Sequence, residues 1–143
     1  MKIPHLTFAL LLTALLLSGM DATAQTVVIV HSSVSTKNLG SKELMDIYTL
    51  NTSRWESGTR INVFELKSGR AKEAFHEFIG MSEEELKKIW LRKQFTGKAR
   101  PPRSVPTEEA LIDLVAETEG AIGYVSERSL KSGKDVRIVA RIR

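Results

Sequence analysis

Residues 61–80 read INVFELKSGRAKEAFHEFIG, and the change of period inside them decides the architecture. Residues 61–66 alternate as a strand, with Ile61 and Val63 toward one face and Phe64 and Leu66 toward the other, so both faces are covered. From Ala71 the spacing changes. Ala74, Phe75, Phe78 and Ile79 fall at i+3, i+4, i+7 and i+8, the stripe of a helix packed on a core, and Gly80 ends it. Between strand and helix stands Lys67-Ser68-Gly69-Arg70, a turn leading straight into a helix N-terminus. Unpaired backbone N–H groups and the positive end of the helix dipole favour an oxyanion there. The Ser68 hydroxyl and the Lys67 and Arg70 side chains would add donors, two of them charged. A second reading of the same residues has Ser68 capping the helix and both cations solvated.

The flanking segments extend this alternation in both directions. Val27-Val28-Ile29-Val30 is a continuous apolar run, the pattern of a strand buried on both faces. Leu44, Ile47 and Tyr48 follow at helical spacing after Gly40-Ser41, with Ser41 at the capping position. Ser82-Glu83-Glu84-Glu85 fits a capping box, and its acidic residues offset the dipole of a helix carrying Leu86, Ile89 and Trp90. Thr96-Gly97 stops that helix. Pro101-Pro102 and Pro106 then predict a long connection without regular structure over residues 95–106. Thr107 caps the next helix, whose face is Leu111, Leu114, Val115 and Thr118, and Gly120 closes it. Ala121-Ile122-Gly123-Tyr124-Val125 reads as a third strand, and residues 131–134, with Gly133, as a turn. In the last segment Arg137, Arg141 and Arg143 alternate with Val136, Ile138 and Ile142, which predicts a solvated edge strand with one cationic face. Strands alternating with helices predict an α/β fold with a largely parallel or mixed sheet flanked by helices.

Composition and the first residues bound the rest. Lys2, a nearly unbroken apolar run over residues 6–17 and Ala22-Thr23-Ala24 match a cleaved secretory signal over residues 1–24. The apolar run is too short for a membrane span of about 20 residues, and nothing later is apolar enough to form one. Residues 25–143 then form one domain, expected to be periplasmic. The chain has no cysteine, so its stability comes from a core and not from disulfides. The net charge of +4 is modest and both signs interleave, which argues against a nucleic-acid groove.

Little points to catalysis. After residue 24 the only histidines are His31 and His76, and His76 and Glu77, as helix neighbours, point apart. No zinc-ligand spacing and no glycine-framed nucleophile is present, so no metal, cofactor or catalytic residue is assigned. Arg100 and Arg103 flank Pro101-Pro102 on a stiff backbone that suits a fixed anion or partner contact, or solubility alone. Trp55 and Trp90 lie near Arg54 and Arg92 and read as core or rim packing.

Several segments, taken in order, carry a resemblance. They are Val27-Val28-Ile29-Val30, Leu44-Met45-Asp46-Ile47-Tyr48, Trp55 before Gly58-Thr59-Arg60-Ile61, and Ser68-Gly69 with Lys72-Glu73-Ala74-Phe75. Trp90 with Phe95-Thr96-Gly97 and Pro101-Pro102, and Gly120-Ala121-Ile122-Gly123-Tyr124-Val125, complete the series. Together they resemble the type 2 periplasmic-binding fold. The likeness is to the phosphate-binding components of ABC transporters, specifically their short single-lobe forms. The resemblance implies a single three-layer lobe, a mixed sheet flanked by helices, that binds phosphate or another small oxyanion and is not an enzyme. In the full-length binders a Ser-Gly-Thr at a helix start holds the anion with a nearby Arg and Asp. Ser68 and Gly69 match the first two positions, Arg70 replaces the Thr, and Glu65 and Lys67 lie near. Ser68, Gly69, Arg70 and Lys67, with Arg100 as an auxiliary contact, are therefore the expected ligand residues. The partners implied are an ABC transporter permease or another envelope protein. Because a half-site leaves the anion wet and its charge contacts weak, a homodimer is a further expected partner. The alternative is an envelope interaction module that kept the fold and lost the ligand, with Pro101-Pro102 at its contact.

Overall fold

The computed structural model describes residues 24–131 and 134–143. Five strands, β1 (Thr26–His31), β2 (Asn62–Leu66), β3 (Arg103–Val105), β4 (Ala121–Ser126) and β5 (Val136–Ile142), form one sheet in the order β3-β2-β4-β1-β5. β2 is parallel to both β3 and β4, whereas β1 is antiparallel to β4 and β5. The sheet is therefore mixed, one of the two arrangements that the alternation of elements left open. The helices are α1 (Ser41–Tyr48), α2 (Arg70–Ile79), α3 (Glu83–Phe95) and α4 (Glu108–Glu117). The expected leader over residues 1–24 lies almost wholly outside the described residues, as does Gly133 of the expected turn.

Burial explains why the least polar runs lie at the centre. Val27, Val28, Ile29 and Val30 are completely buried, and every residue of β4 is buried. Successive strand residues point to opposite faces, and β4 shows what covers each. At Gly123 a Cβ would come within 2.4 Å of Leu111 Cδ2, so α4 packs directly on that face. The next residue, Tyr124, stacks on Phe75 of α2 with ring centroids 4.3 Å apart. α2 and α4 thus cover opposite faces, giving three layers. Both tryptophans are core residues, as expected. Trp55 Nε1 donates to the Gly120 carbonyl at 2.9 Å, and Trp90 Nε1 to the Tyr48 carbonyl at 2.6 Å.

The structure corrects three local expectations. Gly40 and not Ser41 is the N-cap of α1, and its N–H donates to Glu43 Oε2 at 3.1 Å. The proline-bounded connection contains β3, because the prolines stand just outside the paired residues and leave the Arg103–Val105 backbone free to pair with β2. The terminal edge strand forms as expected, but it has no single cationic face. Ile29 pairs with Ile138 and Val28 with Ala140, so Val139 is an extra residue that reverses the alternation. Arg137 pairs with Val30 and Arg141 with Val27, on opposite faces.

Candidate functional site

The parallel strands β2, β3 and β4 end at one edge of the sheet, where β1 begins and β5 ends. α2 starts at this edge. Its position is fixed from below: Phe75 is completely buried between Tyr124 and Tyr48, whose ring lies 4.5 Å away. The Tyr48 hydroxyl donates to the Phe64 carbonyl at 2.9 Å, and the Leu66 N–H donates to the Tyr124 hydroxyl at 3.3 Å, so both tyrosines pin the end of β2. Burial, with smaller contributions from nearby charge such as Glu65, raises the pKa of both phenols and keeps them neutral. Glu65 is itself buried, and its Oε1 accepts from the hydroxyl of Ser104, its cross-strand partner, at 2.5 Å.

Gly69 is the N-cap of α2. Its φ of 110° is a backbone conformation that suits glycine, and it turns the chain from β2 into the helix without a side-chain cap. Ser68 is exposed and does not cap, so the second reading of that residue is not realised. α3 and α4 differ in this respect: Ser82 accepts from the Glu85 N–H at 3.2 Å and Thr107 from the Ala110 N–H at 3.1 Å. Among the described residues the N–H groups of Ser68, Gly69, Arg70 and Ala71 meet no protein acceptor.

The expected ligand residues do not share one concavity. Lys67, Ser68 and Gly69 line a hollow of about 310 Å³ together with Lys72, Glu73 and Glu83. Lys72 is buried there, with Nζ 2.9 Å from Glu83 Oε1 and 3.3 Å from the Lys67 carbonyl. Lys87 reaches the same Glu83 oxygen at 2.8 Å. Hydrogen bonds from Lys87 and Lys72 pull the Glu83 carboxyl down to about 2. Arg70 faces the other way, into a cleft of about 780 Å³. Arg128 and Arg143 line that cleft with it, and neither is legible as a ligand residue in the sequence, because β4 and β5 bring them beside α2 only in the fold. Arg100 is exposed on the connection from α3 to β3 and lines neither concavity. His76 Nδ1 lies 3.0 Å from the Met81 carbonyl, a bond that ties α2 to the turn after it. Among the described residues no cluster of His, Asp and Glu could hold a metal, and no helix is long and apolar enough to cross a membrane.

The three-layer arrangement around a mixed sheet has counterparts among solved structures. One is a Clostridium perfringens protein of the phosphate ABC transporter substrate-binding type with bound phosphate. It superposes with a TM-score of 0.65 and 24% identity over 81% of this chain. This chain has a periplasmic-binding-protein-like fold. The ABC-type phosphate transport receptor from Vibrio cholerae shares it at TM-score 0.63 and 17% identity over 81% of the chain. PstS from Borrelia burgdorferi does so at 0.63 and 16% over 82%. The chain spans less than half of each of these proteins, covering 44%, 45% and 47% of their lengths. No family model and no curated protein matches the sequence. The periplasmic-binding-protein-like fold accounts for the order of segments from β1 to β4, and Ser68-Gly69 stands at the start of its helix α2.

Proposed function

We propose that this protein is an exported, non-enzymatic solute-binding domain that contacts phosphate or a related oxyanion at the first turn of α2. The observation that carries the reading is the uncapped start of that helix. Its first N–H groups meet no acceptor among the described residues, the exposed Ser68 stands next to them, and Lys67 lines the hollow on one side while Arg70 lines the cleft on the other. Charge-assisted hydrogen bonds from these groups need no desolvated counter-charge, which suits a small anion. That a protein of the same fold holds phosphate supports the choice of ligand. Delivery to an ABC transporter permease is the transport role this reading implies, and a second copy of the chain is the further partner it implies.

The test is isothermal titration with phosphate, and with sulfate as control, on protein expressed from Met1 and purified as the cell processes it. Phosphate binding that Ser68→Ala and Arg70→Ala each weaken is the expected result, with the larger loss, about tenfold or more, at the charged residue. Unchanged affinity in both variants removes the site. N-terminal sequencing of the exported protein should begin near Gln25.

One observation favours a second reading, an envelope interaction module. Phe95 and Leu91, one turn apart on α3, are 83% and 53% exposed and lie just before the Pro101-Pro102 connection. A pull-down from envelope extract that requires Arg100 and Arg103 and ignores phosphate would decide for it.

A further inference from the structure

The cleft on the Arg70 side of α2 is larger than an inorganic oxyanion requires. At about 780 Å³ it is the size of a small-molecule pocket. Arg70 reaches it from α2, Arg128 from the turn after β4, and Arg143 from the residue after β5. None of the three pairs with a carboxylate among the described residues. Their neighbours on β5 are already committed: Arg141 bonds Glu127 at 3.1 Å, and Arg137 donates to the Val34 and Thr36 carbonyls. The wall carries one acidic side chain, Glu77. The rest of the lining mixes polar residues, Gln25, Thr26 and Ser126, with an apolar strip. Ala74 and Phe78, one turn apart, run along α2 away from the arginine end, and Ile142 also lines it.

We propose that this cleft takes a phosphate monoester with a short apolar body. The head would lie among Arg70, Arg128 and Arg143, where guanidinium groups can meet a dianion in bidentate fashion. The body would lie along Ala74 and Phe78. The inference rests on the oxyanion reading of the first turn of α2 and names the kind of anion it takes. Burial of even half of a six-carbon chain would tighten binding by about tenfold or more over inorganic phosphate.

The experiment titrates hexyl phosphate, inorganic phosphate and hexanol into the purified protein, its Arg128→Ala and Glu77→Gln variants, both at exposed positions, and sediments it with phosphatidate vesicles. Hexyl phosphate should bind about tenfold or more tighter than inorganic phosphate and be displaced by it, and hexanol should not bind over the same range. Arg128→Ala should weaken hexyl phosphate by about tenfold, and Glu77→Gln should tighten it a few-fold, with melting temperatures confirming that both variants fold. Equal affinity for the two phosphates, or an unaffected Arg128→Ala, overturns the inference and leaves the reading of the α2 turn standing. Hexyl phosphate that inorganic phosphate cannot displace also overturns it. So does sedimentation with the vesicles in the absence of any binding to hexyl phosphate. Heat from neither phosphate removes both readings.

Discussion

The two hollows beside the first turn of α2 share a helix start and differ in what has become of their charges. On the Ser68 side Lys72 is buried against Glu83, and Lys87 meets the same carboxylate, so these charges are spent within the protein. On the Arg70 side three guanidinium groups face a wall with a single acidic side chain. A cation already held by a carboxylate contributes rigidity. One held by nothing keeps its attraction for an incoming anion. Similar numbers of basic residues thus make a brace on one side of a helix and leave unpaired charge on the other.

The largest effect that can break this comparison is at the anchor common to both sides. Phe75→Ala removes the ring stacked between Tyr48 and Tyr124 and should cost about 3–5 kcal/mol in urea unfolding. If α2 is held in this way, anion binding should fall with stability. Retained binding in a folded variant would mean the turn is fixed by something else. Lys72→Met comes next. It keeps the buried stem, removes the bond to Glu83, and should cost about 1–2 kcal/mol, because Glu83 is partly exposed and keeps Lys87. Its phosphate affinity should change far less than that of Arg70→Ala, which separates brace from receptor.

The smallest effect is electrostatic. The Glu83 carboxyl titrates near about 2 in the folded chain against an ordinary value of 4.5, so the folded state binds fewer protons than the unfolded state between these values. The resulting stability is fully present above about 4.5 and is lost as the pH falls toward about 2. In melting curves recorded over that window, Glu83→Gln should lose less than the unmodified protein. The difference should shrink with added salt because the pair is partly open to solvent.

Most of the fold was legible because its elements follow burial in simple periods. The runs at Val27 and Ala121, the stripe from Ala71 to Ile79 and the capping box at Ser82 each fix an element by local chemistry. β3 was not legible, since three residues between prolines carry no period and gain strand geometry only by pairing with β2. The cationic face predicted for β5 failed for a related reason: a one-residue bulge is set by the partner strand, and it moves every later side chain to the other face.

The candidate site divides in the same way. Sequence by itself determined that a strand ends at Leu66 and that Ser68-Gly69-Arg70 opens a helix, because these depend on neighbours within a few residues, but it left open whether Ser68 caps that helix. Only the tertiary structure decided that Lys72 is neutralised by Glu83 and that Arg70 stands with Arg128 and Arg143. Charge pairing depends on distance in space, and residues more than fifty positions apart in the chain come together only where the sheet order places their strands.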